Sequence, residues 1–521
     1  MASYDLTTEA WIPIVGNGGV PRQVGLREAL AEAHTIREVY TDSPIEIAAI
    51  YRLLLALSIR IFPESGEKEG WYDLWKKGSF DAARIDAYLA EYRERFDLLH
   101  PRRPFYQHPA PLATKASAIS KLFTEEASGN NATLFSHCYD DQDRTVPLDA
   151  AARGIVATQG AAIGGGVSKP FNLSHAPLIA GAVFWIRGRS LFEGLLLNAP
   201  PYNSSRMGGS EREGKPAWER DLPDPRHREP DGYLDYLTLQ ARLLLLECTE
   251  LEDGTTVASG VRISQGDKEG QILDDPLMAY RLSKEKGLFA YRLSADRALW
   301  RDSSNFFTLF TSEQGGGPKT FEWVAHPGTE RVTGVTRWMV DVLGMATDQA
   351  KVELWRKERV PLYTAYLKDD PGLRLALESV LELARKQEKI LRGACETLGA
   401  YLLFPKKDGY LSLSQNEKKE VADVVEALGA SERYWPQLEI PFYKLLGAMA
   451  DAEETEPFLI DWGKTLHNVA IAAFEQSTSS FDTSARHLRA WAEGRRRLWA
   501  ARQYGQATEP PISELEEEKS I

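Results

Sequence analysis

Apolar residues recur at helical spacing in two parts of the 521-residue chain. Residues 44–62 (PIEIAAIYRLLLALSIRIF) place apolar side chains on almost every face of a helix, which predicts a helix buried on all sides. Towards the C-terminus the pattern is amphipathic, and such helix faces pack into a bundle. The expected bundle helices cover residues 373–404, 414–428, 431–450, 457–477 and 482–503.

Before the bundle the patterns are mixed. Residues 178–188 (LIAGAVFWIRG) predict a strand, and so do the first residues of TFEWVAHPG at 320–328. The apolar run 335–345 (VTRWMVDVLGM) predicts a helix, whereas residues 124–175 show little regular period.

These patterns predict an α+β protein whose character changes after about residue 367. We expect a large irregular mixed α/β domain over residues 1–367 and an all-α bundle over residues 368–505. The final segment, EPPISELEEEKSI, is acidic and begins with a double proline. Residues 506–521 are therefore expected to form a flexible tail.

Composition is that of a soluble globular protein, with 43% hydrophobic and 26% charged residues and a mean hydropathy of -0.35. No apolar run reaches the roughly 18–20 residues that a membrane helix needs. The opening MASYDLTTEAWIPIV lacks the basic and apolar regions of a secretory signal. We expect a cytoplasmic protein with no membrane partner.

The formal net charge is -13. A domain that binds DNA tightly by itself is usually basic, because it must neutralise phosphates. The acidic balance therefore predicts weak, salt-sensitive DNA binding by the isolated chain. It leaves room for local basic patches, and for binding within an assembly whose other subunits carry positive charge.

Metal and enzyme chemistry find little support. Cys138, Cys248 and Cys395 are far apart and form no CxxC pair, so we expect neither a disulfide framework nor a zinc site, and no cofactor. The chain has no HExxH, no GxSxG and no GxxxxGK[ST] motif. We expect no catalytic residues.

One loop keeps an enzymatic alternative open. His137 and Cys138 are adjacent, and Asp140, Asp141 and Asp143 follow them. Such carboxylates can ligate a divalent metal, although a solvated acidic loop explains them equally simply. A metal-dependent nuclease or hydrolase that uses residues 137–143 is therefore the alternative function, and a purely structural scaffold is a third.

Binding chemistry is better represented. Gly164, Gly165 and Gly166 remove side chains from one stretch of backbone, which lets it approach a ligand very closely, and Ser168 and Lys169 beside them add hydrogen-bond donors. A flexible turn is the alternative explanation of the glycine run.

The last predicted helix is rich in arginine. Such a row can contact phosphates, and it can equally be the solvated face of a C-terminal helix. Its arginines are Arg486, Arg489, Arg495, Arg496, Arg497 and Arg502. Gln349, which lies between the predicted helix 335–345 and the bundle, is by its chemistry alone a cap or turn residue.

Taken in order, several segments resemble the CasA family, the large subunit of the type I-E CRISPR surveillance complex, Cascade. The resemblance covers most of the chain. The segments are LTTEAWIPI (6–14), HPRRPFYQ (100–107), AIGGGVSKPFNLSHAP (162–177), FWIRG (184–188), PAWERD (216–221), DQAK (348–351) and the helical C-terminus.

The resemblance implies an irregular α/β N-terminal domain joined to a C-terminal four-helix bundle. It also implies a non-catalytic subunit that recognises the protospacer-adjacent motif in double-stranded DNA from the minor-groove side. Such a subunit helps to open the duplex for pairing with guide RNA and then docks a separate helicase-nuclease. Its further partners are the 5′ end of the guide RNA and the backbone and small subunits of the complex.

The family's minor-groove loop matches Gly164–Gly166, with Val167, Ser168 and Lys169 beside them. A side chain there would obstruct close approach, and the degenerate code of the minor groove fits tolerance of more than one motif. The family's wedge, which splits the first base pairs, matches Gln349 with Asp348. Unstacking one base step costs a few kcal/mol, which new contacts must offset.

Three further roles are implied less directly. A basic residue that contacts the motif matches either Arg262 or Lys268. The loop that touches the guide RNA and a neighbouring subunit matches the segment around Phe135 (NATLFSHCY), and the arginine-rich last helix would follow the DNA backbone. Some relatives carry a cysteine-rich insertion, but only Cys248 lies in that region here, so we expect no zinc.

Overall fold

The chain divides into two compact units in the computed structural model. One comprises Met1–Arg297 with Asn305–Lys368, and the other comprises Ala298–Ser304 with Asp369–Ile521. The residues whose structure is described are 3–109, 115–123, 144–165, 167–168, 172–199, 201, 214–222, 227–228, 230–269, 275–285, 287–311, 314–348, 351–368, 370–481 and 484–504. Within these ranges no helix is long and apolar enough to cross a membrane.

Helices and small sheets alternate in the first part of the chain, and ten α-helices precede residue 334 in the described ranges. They are Leu26–Ala31 (α1), Pro44–Ile61 (α2), Lys68–Lys77 (α3), Ala82–Glu91 (α4), Leu148–Ala161 (α5), Leu191–Leu197 (α6), Tyr233–Leu237 (α7), Ser303–Phe306 (α8), Lys319–Ala325 (α9) and Pro327–Thr333 (α10).

Fifteen β-strands are found in the same described ranges. They are Ile12–Gly16 (β1), Pro21–Val24 (β2), Ile36–Val39 (β3), Ser117–Ala118 (β4), Val146–Pro147 (β5), Val183–Arg187 (β6), His227–Arg228 (β7), Arg242–Glu250 (β8), Thr256–Gln265 (β9), Lys268–Glu269 (β10), Tyr280–Ser283 (β11), Gly287–Ala290 (β12), Gly315–Gly316 (β13), Arg337–Asp348 (β14) and Lys351–Tyr363 (β15).

The strands form five small sheets rather than one continuous sheet. Their orders are β2-β1-β3, β10-β7, β12-β11-β13, β15-β14-β6 and β4-β9-β5, with β8 also paired to β9. Two of them matter for the site. The antiparallel pair β8/β9 aligns Arg242 with Gln265, and β14 lies between β6 and β15.

Two helices form much of the core beneath these sheets. The predicted buried helix is confirmed as α2, because all of its residues except Arg60 are buried and Ser43 caps its N-terminus by accepting from the Glu46 N–H. α5 packs on α2 and was not predicted. Its sequence is rich in Ala and Gly, and Gly160 lets Leu178 approach so closely that a Cβ there would lie 2.9 Å from Leu178 Cδ1.

Two other predictions from the pattern are wrong. Residues 335–345 are expected to be helical, but they lie mostly in β14, which is paired on both edges and is buried without alternation from Val340 to Ala346. A short apolar run does not distinguish such a strand from a helix. Residues 320–325 are expected to be a strand but belong to α9, in which every residue except Lys319 and Glu322 is buried, so the short apolar run has no period that distinguishes a helix from a strand.

The second unit is helical, as the amphipathic pattern predicts. Its helices are Pro371–Leu403 (α11), Gln415–Leu428 (α12), Ala430–Ala450 (α13), Glu456–Ser477 (α14) and Ala485–Tyr504 (α15). α11 contacts α13, α14 and α15, which together form the four-helix bundle, and the shorter α12 packs on α11. The protein is thus α+β, as expected.

One short segment belongs to the bundle although it lies far from it in sequence. Trp300 is fully buried, with its ring centroid 4.7 Å from that of Phe442 and 5.7 Å from that of Trp435. The Arg301 guanidinium lies 3.7 Å from the centre of the Trp435 ring. Seven residues inside the range expected for the N-terminal domain therefore lie in the helical unit.

Candidate nucleic-acid interface

The glycine run lies in a closed loop that follows α5. We call residues 162–176 the glycine loop. Its neck is closed by a hydrogen bond from Ala176 N to Ala162 O (2.9 Å), and a second bond from Gly165 N to Leu173 O (3.0 Å) joins its two legs. The described part of this loop therefore has a defined shape rather than that of an unanchored turn.

Two glycines in the loop cannot be replaced without strain. A Cβ on Gly164 would lie 2.8 Å from His175 N and 2.9 Å from the Ser174 carbonyl carbon, closer than real Cβ contacts. Gly165 has φ +117, a conformation that residues with side chains rarely adopt. Gly166 lies outside the described residues.

The tip of the loop is exposed on one side and anchored on the other. The Val167 side chain is 93% exposed. Ser168, expected to add a donor, uses its Oγ to accept from Gln265 N at 3.0 Å, which ties the loop to the end of β9. Lys169 lies outside the described residues.

A buried arginine lies at the base of the loop. Arg242, only 2% exposed, donates from Nη2 to Ile163 O (3.0 Å) on one leg and to Ser174 O (2.6 Å) on the other. Its other side-chain hydrogen bonds go to Ala241 O and Gln265 Oε1, so among the described residues it has no acidic partner. Burial of this charge lowers the pKa of Arg242 to about 10.

Two buried glutamines complete the support of the loop. Gln265, fully buried, accepts from Ser174 N (2.8 Å) and donates to Ser174 Oγ (3.1 Å). Gln159, in the last turn of α5, accepts from Arg242 N (3.0 Å) and donates to Arg242 O (2.8 Å). The loop, α5 and the β8/β9 pair are thus joined by buried hydrogen bonds, which low dielectric strengthens.

A histidine gives the loop a dependence on pH. Gly164 N donates to His175 Nδ1 at 2.9 Å, so this nitrogen must be unprotonated. Burial, and then the charges of Arg292 and Arg242, lower the pKa of His175 below its ordinary 6.5. The bond is therefore fully present above pH 6.5 and is lost as pH falls through the lower pKa of the folded state.

We expect acidification to loosen the loop. Hydrogen exchange of peptides covering residues 162–176, corrected for the intrinsic effect of pH, should accelerate in the natural protein as the pH falls below 6.5 and through the lowered pKa of His175. His175→Leu should exchange faster at pH 7.5 and should lack the additional acid step. An acid step that persists in the leucine variant would assign the effect to another group.

The two candidate basic residues differ in their surroundings. Arg262, in the middle of β9, forms an ion pair with Glu247 at 2.7 Å, and both side chains are partly exposed. Lys268 lies in β10, three residues after Gln265, whose N–H binds the glycine loop. The side chain of Lys268 is not among the described ones.

The wedge candidates lie at the end of a long hairpin, not after a helix. Asp348 is the last residue of β14 and pairs with Lys351, the first residue of β15. Gln349, between them, lies outside the described residues, and so does the side chain of Asp348. Within β14, β6 pairs with Met339–Leu343, so the last five residues of β14 extend past this pairing. We call β14–β15 the wedge hairpin.

A buried charge cluster holds the base of the wedge hairpin. Asp341 is fully buried and accepts from Arg359 Nε at 2.7 Å and from Arg187 Nη1 at 3.1 Å. Glu38 lies against the same two arginines. Burial raises the pKa of Asp341 to about 6, whereas Arg187 and Lys357 act in the opposite direction.

The arginines of α15 are largely engaged within the bundle. Arg486 donates to the carbonyls of Leu402 and Leu403, at the C-terminal end of α11, where carbonyl groups lack helical partners. Arg497 donates to Gly393 O (2.8 Å) and Thr397 Oγ1 (3.0 Å). Both side chains therefore have a structural role.

The remaining arginines are less constrained. Arg495 pairs with Glu475 at 3.2 Å and Arg496 with Glu493 at 2.7 Å, and such exposed pairs contribute little stability. Arg489 lies over the Tyr401 ring. The side chain of Arg502 lies outside the description.

Two further predictions fall outside the described residues: Phe135, and the segment from His137 to Asp143 with Cys138. Cys248 and Cys395 are free thiols. In the part of the chain that is described, no group of three His, Cys, Asp or Glu residues could hold a metal ion.

Comparison with known proteins decides the family. The family described as CRISPR-associated protein Cse1 matches residues 5–473. A CRISPR-associated protein CasA/Cse1 from Thermus thermophilus is 31% identical over 517 residues, which cover 95% of this chain and 96% of the relative. The chain belongs to the CasA/Cse1 family.

Solved structures agree with the CasA/Cse1 fold. The crystal structure of Thermus thermophilus CasA has a TM-score of 0.78 at 27% identity, covering 97% of this chain and 100% of that one. A chain of a CRISPR RNA-guided surveillance complex has a TM-score of 0.72 at 22% identity, covering 96% of this chain and 100% of that one, which shows a shared fold.

Sequence reasoning missed the residues that support the glycine loop of this CasA/Cse1 chain. Arg242 opens an apolar strand (RLLLLE), where an arginine is normally the exposed first residue, and Gln265 closes a strand 23 positions later. Only the antiparallel register brings them opposite each other. The sequence did contain one signal: a polar residue stands at the start of β8 and another at the end of β9, and an antiparallel pair brings these two positions together.

Proposed function

We propose that this CasA/Cse1 chain is the non-catalytic large subunit of a type I-E CRISPR RNA-guided surveillance complex. In this role it recognises the protospacer-adjacent motif in double-stranded DNA, helps to open the duplex and recruits a helicase-nuclease. Membership of the family supports the subunit assignment. The glycine loop is the observation that carries the recognition role.

The loop is suited to a narrow groove for a physical reason. Gly164 and Gly165 present backbone without side chains, the neck is closed, and the Val167 tip is exposed. The minor groove of B-DNA is about 6 Å wide, so a bare backbone loop enters more readily than one with side chains.

Lys268 is the better basic partner for the loop. The Glu247 carboxylate already neutralises Arg262. The chain reaches the glycine loop at Gln265, where its N–H binds Ser168, and Lys268 follows three residues later. We therefore place Lys268, rather than Arg262, beside the DNA motif.

Other partners are assigned to other surfaces. Phe135 and its neighbours contact the 5′ end of the guide RNA and an adjoining backbone subunit. Arg489 and Arg496 are the bundle arginines best placed to meet the DNA backbone, because their described contacts are surface contacts. The bundle and its surroundings also meet the small subunits, and the helicase-nuclease docks on the assembled complex.

Reconstitution with the other complex subunits and guide RNA tests the proposal. Motif-bearing duplex should bind more tightly than duplex with a scrambled motif, and this preference should vanish when the chain is omitted. Equal binding of both duplexes by the complete complex would contradict recognition. DNA cutting by the purified chain with magnesium or manganese that disappears in Asp140→Ala would contradict the non-catalytic assignment.

The wedge has its own expected effect. Gln349→Ala should leave initial motif binding nearly unchanged and slow duplex opening roughly tenfold, because a lost wedge contact no longer offsets unstacking. Opening is followed by the fluorescence of 2-aminopurine placed next to the motif. Gln437→Ala, at a partly exposed glutamine in α13, is the control. An unchanged opening rate would remove Gln349 from the wedge.

A further inference from the structure

The two legs of the glycine loop are joined by two buried side chains, Arg242, which binds both legs, and Gln265, which binds the second. One nitrogen of the Arg242 guanidinium binds a carbonyl on each leg, Ile163 O before the glycines and Ser174 O after them. The Gln265 side chain binds Ser174 twice, because its Oε1 accepts from the Ser174 main-chain N–H and its Nε2 donates to Ser174 Oγ. The separation of the legs is thus set by groups that are not in the loop.

The same pair determines where the loop lies relative to the next strand. Arg242 and Gln265 face each other across the β8/β9 ladder. Gln265 N also binds Ser168 near the tip. The Gln265 side chain donates to Ala241 O, just before β8, and to Gly266 O, in the turn that leads into β10. Any displacement of this pair would move the loop and the start of β10 together.

Arginine is a demanding choice for this position. A buried guanidinium without an acidic partner is unfavourable unless its donors are satisfied. Here the donors bind carbonyl groups and the Gln265 amide oxygen, in directions that a planar fork provides. A lysine would keep the charge, but its single nitrogen could not reproduce this pattern.

We infer that Arg242 and Gln265 are positioning residues that fix the shape of the glycine loop and its distance from the strand carrying Lys268, and thereby set how sharply the DNA motif is discriminated. The inference rests on the proposed function of the loop. Neither residue touches DNA in this scheme. Their substitution should therefore affect discrimination among motifs more than nonspecific affinity for DNA.

The test uses Arg242→Lys, Arg242→Met and Gln265→Leu in the full-length chain. The first readout needs no DNA: hydrogen exchange of peptides covering residues 162–176 should accelerate roughly tenfold in Arg242→Met and less in Arg242→Lys. Asn198→Ala is the matched control. It removes buried hydrogen bonds to Ile186 and Gly194 elsewhere in the same unit.

The second readout is motif discrimination by the reconstituted complex, measured with a duplex pool randomised beside the target. The discrimination ratio is the binding to preferred motifs divided by the binding to the average motif. We expect Arg242→Met and Gln265→Leu to lower this ratio roughly tenfold. Arg242→Lys should retain part of it, and Asn198→Ala should leave it unchanged. If Asn198→Ala also lowered the discrimination ratio, general destabilisation would explain the effect, and the inference would be overturned.

The two readouts separate the inference from the proposed function. Unchanged exchange in Arg242→Met would overturn the inference whatever the DNA result. Accelerated exchange with full discrimination would also overturn it, provided that Gly165→Asp loses discrimination. If Gly165→Asp retained discrimination too, the proposed function of the loop would fail, although its anchoring by Arg242 would stand.

Discussion

Replacing Gly165 by aspartate should weaken motif-dependent DNA binding by the reconstituted complex roughly 10- to 100-fold. A left-handed conformation costs a residue with a side chain roughly 1–2 kcal/mol, and Gly165 has φ +117. The new carboxylate would also occupy the space that a minor-groove edge must fill, and it would repel phosphates. Equilibrium binding to motif-bearing and scrambled duplexes measures the effect.

Two further variants separate the causes of this loss. Gly164→Ala adds no charge, but its Cβ would lie 2.8 Å from His175 N, so it should also weaken binding by forcing the legs apart. Gly18→Asp introduces the same acid where a Cβ meets open space, so it should bind like the natural chain. Equal binding by the Gly165 and Gly18 variants would show that the loop does not enter a groove.

The helical half of the fold was predictable from the sequence because residues close together in the chain determine each helix. Each helix of the bundle has an amphipathic repeat that can be recognised without its neighbours, and all five expected helices lie within a few residues of the observed ones. Ala298–Ser304 was not predictable as part of this unit, since its membership depends on the packing of Trp300 against a residue as distant as Phe442.

The strands were predicted less well because the hydrophobic pattern of a strand depends on partners that are distant in the sequence. β14 is a continuous apolar run only because β6 and β15 cover its edges and other elements cover its faces. Without knowledge of those partners the run 335–345 resembles a helix. The error matters for the proposed wedge, because it placed Gln349 at a junction before the bundle, whereas Asp348 and Lys351 on either side of it are paired residues of two antiparallel strands.

The candidate site divides in the same way. The glycines could be singled out because three in a row are unusual, and their order among other segments suggested the role that is proposed for them. Their support was not found, because Arg242 and Gln265 are separated by 23 positions and become neighbours only through strand register. Residues that contact a ligand leave a motif in the sequence, whereas residues that position them often do not.

Substitution of Asp341 by alanine should destabilise the wedge hairpin by about 2–3 kcal/mol, below the roughly 3–5 kcal/mol of a fully buried pair, because Arg359 is partly exposed and Glu38 still pairs with both arginines. Arg187 and Arg359 both bind this carboxylate, and among the described residues Glu38 is the other carboxylate that pairs with them. At pH 7.5, above its raised pKa of about 6, Asp341 carries its charge. The urea dependence of hydrogen exchange in β14 and β15 peptides reports the local free energy of opening.

Asp341→Asn keeps the shape and one acceptor, so it should fall between alanine and the natural residue. Asp86→Ala removes an acid of matching type from an exposed pair with Arg27, and it should leave exchange nearly unchanged. If Asp341→Ala left exchange in β14 and β15 unaltered, the charge cluster would not hold the hairpin. If it accelerated exchange and also slowed duplex opening, the rigidity of the hairpin base would be part of what lets a wedge at its tip separate base pairs, because a wedge that yields under load transmits no strain to the DNA.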